Sequence, residues 1–125
     1  MTKSVSDHKF IISLNDESYY ELCIKDNVEI FIEDVDRIKD AQRQLSGLRI
    51  PVLISGGKYS TTNVDVMKYL AKNDNMPYSK VSAYITNSIS QKLLGNFYLK
   101  INKPERPTRF FSNKKDAIDW LKQYL

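Results

Sequence analysis

Hydrophobic and polar residues alternate near the start of the chain as they do in extended strands. Residues 10–14 (Phe-Ile-Ile-Ser-Leu) and 19–25 (Tyr-Tyr-Glu-Leu-Cys-Ile-Lys) flank the turn-forming sequence Asn-Asp-Glu-Ser. Successive side chains of a strand point to opposite faces, so Tyr20, Leu22 and Ile24 fall on one face of the second strand. The pattern predicts an antiparallel hairpin. Residues 1–8 show no such pattern, and we expect a flexible N-terminus there, followed by a single domain at 9–125.

The apolar period then changes to that of a helix. The recurring positions are Ile32, Val35, Ile38, Ala41 and Leu45, and Gly47 follows as a stop signal. Residues 49–55 form a short continuous apolar run, which is typical of a strand that is covered on both faces. Gly56 and Gly57 end that run.

The same alternation of helix and strand continues to the end of the chain. Thr62 and Asp65 can cap a helix that runs to about Lys72, and residues 81–85 predict the next strand. The spacing over 88–101 predicts a helix that buries Ile89, Leu93, Phe97 and Ile101. Residues 109–111 predict a short strand. The last helix is capped by Asn113 and Asp116, and it presents Ala117, Trp120, Leu121 and Tyr124.

The predicted order is therefore ββαβαβαβα, a single α/β domain. Helices between strands favour parallel pairing with right-handed crossovers, after the antiparallel hairpin. We expect a mixed, mostly parallel sheet with helices packed on it.

Length and composition agree with one globular domain. The chain has 125 residues, of which 42% are hydrophobic and 27% charged. No apolar run approaches the roughly 20 residues that cross a bilayer, and residues 1–8 do not resemble a secretory signal. The single cysteine, Cys23, cannot form an internal disulfide. We expect a cytoplasmic protein.

Charge is spread unevenly along the chain. Residues 1–50 carry 7 Lys/Arg and 10 Asp/Glu, whereas residues 91–125 carry 8 and 3. Basic residues in the last third predict a surface for an anionic ligand, formed by Lys100, Lys103, Arg106 and Arg109. An anionic lipid headgroup and an acidic protein both remain open as partners. We do not expect nucleic-acid binding, because no recognised motif is present.

Histidine and cysteine, which often act in catalysis and bind metals, are scarce. Zinc sites need about four Cys, His or carboxylate ligands, and the chain has only His8 and Cys23 as nitrogen and sulfur ligands. The acidic residues 33, 34 and 36 suit the first turn of a helix. We expect neither a metal site nor a cofactor, and we expect a protein that is not an enzyme.

A Gly-Gly-Lys sequence at 56–58 lies between a predicted strand and a predicted helix, which is where phosphate-binding loops occur. Tyr59 follows Lys58, whereas the phosphate loop of nucleotide hydrolases needs Ser or Thr there. A tight turn accounts for the two glycines. The next residues, Ser60, Thr61 and Thr62, suit helix capping and also phosphorylation, since the helix dipole favours a phosphate at that end.

The order of elements resembles the STAS superfamily, which includes bacterial anti-sigma factor antagonists with a SpoIIAA-like fold. A further resemblance, to uncharacterised bacterial STAS/SEC14-domain-like proteins, rests on residues 94–104, Pro107-Thr108 and 117–121. The STAS switch is a Ser or Thr at the start of the helix after the central strand, within an Asp-Ser-Ser-Gly-like sequence. Residues 60–63 match that position, but the acid is missing and Asn63 replaces the glycine. The resemblance implies a fold and no reaction.

Two hypotheses follow. The first is a regulatory or protein-interaction module that is controlled by phosphorylation at Ser60, Thr61 or Thr62, with Lys58 and Tyr59 beside the contact surface. The second is a protein that binds a small molecule or lipid in an apolar pocket with a basic mouth. Homodimerisation through the edge of the sheet is also expected.

Overall fold

Residues 3–125, which the computed structural model describes, build a six-stranded sheet flanked by helices. The strands are β1 (Lys3–Ser6), β2 (Phe10–Leu14), β3 (Tyr20–Ile24), β4 (Ile50–Ser55), β5 (Ser79–Ile85) and β6 (Thr108–Phe111). The α-helices are α1 (Ile32–Leu45), α2 (Val64–Ala71), α3 (Ile89–Asn102) and α4 (Lys114–Leu121), and short 3₁₀ turns span Asn73–Asn75 and Lys122–Tyr124. Within residues 3–125, no helix is long and apolar enough to cross a bilayer.

The strands lie side by side in chain order, β1 to β6. β1, β2 and β3 pair antiparallel, and β3 to β6 pair parallel. Each crossover after β3 steps to the next strand in the same direction, and right-handed crossovers then place α1, α2 and α3 on one face of the sheet. The predicted mixed, mostly parallel α/β fold is confirmed.

The two faces of the sheet bury separate apolar clusters. Val52 and Ile54 of β4 pack in the cluster that includes Val35 and Ile38 of α1. Leu53, which points the other way, packs with Ala117 and Leu121 of α4. The continuous apolar run of β4 is thus explained by cover on both faces, as its sequence predicts.

The N-terminus differs from its prediction, because residues 3–6 form β1 where we expected a flexible segment. Val5 pairs with Ile12 of β2. Asp7 shapes the turn between the two strands, since its Oδ1 accepts the backbone N–H groups of Lys9 (2.7 Å) and Phe10 (3.0 Å). Met1 and Thr2, which that prediction included, lie outside the described residues.

The buried face of α3 is opposite to the predicted one. Ile89, Leu93, Phe97 and Ile101 are 80, 64, 48 and 57% exposed, so the prediction that they form the core is wrong. α3 packs instead through Gly95 and Tyr98. A Cβ on Gly95 would lie 2.6 Å from ring carbons of Phe110, so only glycine allows α3 to approach β6 this closely. Glycine does not count as a hydrophobic residue in the sequence pattern. The apolar spacing therefore indicated the wrong face of α3 as the buried one.

Asparagine side chains cap α2 and α4, whereas Ser88 caps α3. Asn63 caps α2 through a hydrogen bond from the Val66 N–H to its Oδ1 (3.0 Å), a role that the sequence had assigned to Thr62. Asn113 caps α4 as predicted, because its Oδ1 accepts the N–H of Asp116 (2.9 Å). Because the capping residue is Asn63 and not Thr62, α2 begins one residue later than predicted.

Candidate ligand cavity

An apolar cavity of about 190 Å³ lies between the sheet and the layer of helices α1, α2 and α3. Its walls are mostly aliphatic and aromatic side chains from β3, β4, β5, β6 and the three helices. These include Leu22, Ile54, Val35, Ile38, Met67, Leu70, Tyr84, Leu94, Tyr98 and Phe110. Its outer end is bordered by Gln91 and Leu94 of α3 and by residues 60–62, which precede α2.

Small residues on β5 leave this space unfilled. Ile50 of β4 pairs with Ser79 of β5, and Val52 pairs with Ser82. Between these two pairs β5 advances by three residues, whereas β4 advances by two. The extra residue forms a β-bulge, which brings both serines to the cavity side of the strand. Larger side chains at these two positions would fill the centre of the domain.

A buried polar atom without a partner lies in the cavity wall. Gln42 of α1 is fully buried, and its Nε2 donates to Ser79 Oγ at 3.1 Å. Within residues 3–125, Gln42 Oε1 has no hydrogen-bond partner. The Tyr98 hydroxyl and Arg106 Nε form no hydrogen bond of good geometry, but the Arg106 side chain is near enough to the hydroxyl to act on the pKa of Tyr98. Buried polar atoms normally have partners, so Gln42 Oε1 gives the cavity wall unused capacity to bind a polar group.

Two tyrosines of the wall keep their protons. Burial raises the pKa of Tyr84, and the nearby Arg106 guanidinium opposes that rise. Burial likewise raises the pKa of Tyr98, well above its ordinary value. Tyr84 also stacks on Phe110, with ring centroids 4.6 Å apart. Both phenols therefore stay neutral at physiological pH and can act as hydrogen-bond donors.

Arg106 lies in the wall of the cavity and not on the predicted anion-binding surface. It is 3% exposed, and its Nη2 donates to the carbonyls of Leu70 (2.6 Å) and Lys72 (3.3 Å). These carbonyls are at the C-terminal end of α2, where a cation is favoured by the helix dipole. Lys100, Lys103 and Arg109 are exposed, and their binding of an anionic ligand stays a prediction.

The loop 56–58 is a close-packed turn. A Cβ on Gly57 would lie 2.1 Å from the carbonyl oxygen of Lys25. The N–H groups of Gly56 and Lys58 are already bound, to the Ile85 carbonyl (3.2 Å) and to Asp26 Oδ1 (2.7 Å). Glycine at position 57 allows the loop backbone to lie close to the backbone of Lys25. The N–H groups of Gly56 and Lys58 are not available to bind a phosphate.

Of residues 58–62, predicted as a control and contact site, Ser60, Thr61 and Thr62 border the cavity, whereas Lys58 and Tyr59 do not line it. Ser60 Oγ donates to the Gly57 carbonyl (2.7 Å), and Thr62 Oγ1 donates to the Ile30 carbonyl (3.2 Å). The Thr61 side chain is exposed and forms no hydrogen bond to any residue in 3–125. Tyr59 is 73% exposed, with Lys58 Nζ 5.6 Å from its ring centroid.

The buried polar residues of the cavity wall were not predicted from the sequence. Gln42 could have been noticed, because it is a polar residue next to Ala41 on the buried stripe of α1. Ser79 and Ser82 give no such signal, since the bulge that turns both inward depends on pairing with β4. Cys23 is exposed on β3, and residues 3–125 contain no group of three or more His, Cys, Asp or Glu side chains that could hold a metal ion.

Comparison with known proteins identifies a family and a fold. A family described as a domain of unknown function, DUF7793, matches residues 21–125. The chain is similar to an uncharacterised DUF3478-family protein with a SpoIIAA-like fold from Shewanella loihica PV-4, with a TM-score of 0.57 and 18% identity over 97% of this chain and 92% of that chain. No curated protein matches the chain. The STAS-like, SpoIIAA-like fold predicted from the order of elements is confirmed.

Proposed function

The chain belongs to the DUF7793 family of domains of unknown function, and we propose that it binds a compact, largely apolar small molecule in the cavity between the sheet and α1 to α3. The observation that carries the proposal is the cavity itself, about 190 Å³ in volume. A core that served stability alone would be packed without such a void.

Size and polarity define the class of ligand. An engineered cavity of about 150 Å³ in another protein takes up benzene, so this cavity suits a molecule with one ring or a short acyl chain. The unpartnered Oε1 of Gln42 and the neutral hydroxyl of Tyr98 favour a ligand that also carries a polar group. Well-placed polar groups in an apolar pocket set orientation and specificity.

The cavity wall supports binding rather than conversion of the ligand. Its polar side chains are hydroxyls, amides and the Arg106 guanidinium, and the residues that line it include no carboxylate, imidazole or thiol. General acid–base catalysis mostly uses these absent groups, and a Ser or Thr nucleophile needs one of them beside it as a base. We therefore propose a non-catalytic domain.

Titration with benzene and with indole, followed through backbone amide signals by NMR, tests the function. We expect saturable shifts at Ile54, Ser82 and Tyr84, which border the cavity. Leu94→Trp should weaken binding, because Leu94 lies at the outer end of the cavity. Ile89→Trp on the same helix is the control, since Ile89 is 80% exposed and does not line the cavity. Shifts spread over the surface, or equal binding by both variants, would refute the proposal.

A second candidate function is a switch at Thr61, by which phosphorylation changes contact with a protein partner. Thr61 is the one exposed hydroxyl residue of the cluster 60–62, because Ser60 and Thr62 are half-buried and donate to carbonyls. A phosphate there would lie beside Lys58 and Tyr59 at the outer end of the cavity and would add about two negative charges.

The mass of the intact protein, purified from its own host, tests the switch. A phosphoryl group that maps to Thr61 and is absent from Thr61→Val would support it. Protein that stays unmodified under every growth condition, or a phosphate elsewhere in the chain, would count against it. Ser60→Ala is the control, since it removes a neighbouring hydroxyl and leaves Thr61 in place.

A further inference from the structure

The outer face of α3 carries a row of large apolar side chains, here called the α3 stripe: Ile89, Leu93, Phe97 and Ile101. Each follows the previous one by four residues, and each is between 48 and 80% exposed. The stripe runs along the whole helix, which at 14 residues is about 21 Å long. Contiguous exposed apolar surface of this kind marks a contact with a protein or a membrane.

Only cations accompany the stripe. Residues 88–103 contain Lys92, Lys100 and Lys103 and no Asp or Glu. All three lysines are exposed, and none forms an ion pair within residues 3–125. The stripe is therefore an apolar row within a positively charged surface.

These charges distinguish between two occupants. A second copy of the chain, packed on the stripe about a two-fold axis, would bring the same lysines face to face. An anionic lipid surface suits both features, because apolar side chains enter the boundary between headgroups and acyl chains while lysines remain near the phosphates. We propose that α3 docks on the surface of a membrane that contains anionic lipids.

This docking is independent of the proposed ligand binding. Leu93 and Phe97 do not line the cavity, so they can be changed without altering its walls. The neighbouring Leu94 does border the cavity, so the outer end of the cavity lies next to the docked face of α3.

Co-sedimentation of the purified chain with vesicles tests the proposal. The probes are phosphatidylcholine vesicles and vesicles in which about one third of the lipid is phosphatidylglycerol. The variants are Leu93→Ser with Phe97→Ser, and Lys92→Gln with Lys100→Gln. Leu48→Ser is the matched control, since Leu48 is 61% exposed and lies far along the chain, before β4. Circular dichroism establishes that each variant is folded.

We expect binding to the anionic vesicles and little to phosphatidylcholine alone. The serine pair should weaken it about tenfold or more, and each lysine removed should weaken it about fivefold at low salt. Leu48→Ser should bind as the unchanged chain does. Failure to bind anionic vesicles, or equal loss in Leu48→Ser, would overturn the proposal. So would a dimer that Phe97→Ser dissociates without any vesicle binding, because the stripe would then serve a second copy. Indole titration of the serine pair reports on the cavity separately.

Discussion

Charged side chains hold the N-terminal turn against α1. Asp7 accepts two backbone N–H groups in the turn, and its Oδ2 accepts Arg37 Nε at 3.0 Å. Arg37 also pairs with the buried Asp34, whose Oδ2 accepts Lys9 Nζ at 2.8 Å. The network connects the β1–β2 turn to the first turns of α1, which places a strand where the hydrophobic pattern alone indicates a flexible end.

Asp7→Asn should make stability less dependent on pH. Burial acts to raise the pKa of Asp7, but the N–H groups of Lys9 and Phe10 and the Arg37 side chain outweigh it, so the pKa lies below its ordinary value of 3.8. Stabilisation by the ionised carboxylate is thus complete above about pH 4 and is lost as the pH falls through the folded-state pKa. Urea unfolding should show a difference between the two proteins at neutral pH that disappears in acid. A difference that does not change with pH would contradict this role.

Two adjacent glycines should respond differently to alanine. The Cβ of Gly57→Ala would meet backbone, the Lys25 carbonyl, at 2.1 Å, whereas that of Gly56→Ala would meet the end of the Gln91 side chain at 3.1 Å. We expect Gly57→Ala to lower the free energy of unfolding by about 2 kcal/mol or more. Gly56→Ala should cost much less, because a side-chain end can move. If both variants lose the same free energy of unfolding in urea, the close contact with the Lys25 carbonyl is not the reason for glycine at position 57.

At the scale of elements, α3 shows where hydrophobic periodicity is informative and where it fails. The period predicted a helix over 88–101, and the structure has α3 at Ile89–Asn102. The face was wrong because its packing surface is built from Gly95 and Tyr98, while the larger aliphatic side chains lie outside. The order of strands was predictable from alternation and handedness, whereas the bulge in β5 was not, because it arises from pairing between strands.

Gly95→Ala should destabilise the protein although alanine favours helices. The gain in helix propensity is about 1 kcal/mol, but the new Cβ would lie 2.6 Å from ring carbons of Phe110. We expect a net loss of about 1–2 kcal/mol in urea unfolding, since overpacking typically costs 1–3 kcal/mol. Asn96→Ala, at an exposed position of the same helix, should be neutral or stabilising.

A double-mutant cycle separates the clash from other effects. If the contact with Phe110 causes the loss, Gly95→Ala should become neutral or stabilising in a Phe110→Ala background. An unchanged loss in that background would assign the effect to the helix itself and contradict the packing account.

At the scale of the whole molecule, three helices on one face and one on the other leave the two clusters unequally filled. Leu53 and Ala83 pack closely against Ala117 of α4, whereas the cavity lies between the other face and α1 to α3. The cavity opens beside residues 60–62, so a ligand and a modification at Thr61 would affect neighbouring surfaces. Dimerisation through the edge of the sheet stays a prediction, with β1 in place of the expected hairpin at that edge.

Ser82→Val should stabilise the protein and reduce ligand uptake together. Ser82 is 3% exposed and borders the cavity, so the larger apolar side chain would occupy part of it. We expect a gain of about 1 kcal/mol in the free energy of unfolding. Ser13→Val in β2 controls for strand propensity, because Ser13 does not line the cavity. A loss of stability in Ser82→Val alone would indicate that the space is already filled.

A crystal structure under xenon pressure tests the central claim most directly, because xenon enters preformed apolar cavities. The account predicts a xenon site between Ser82 of β5 and Met67 of α2, inside the described cavity, and its loss in Ser82→Val. A crystal in which Tyr84 or Leu94 fills that space, with no xenon there, would contradict it and leave the domain without the pocket on which ligand binding depends.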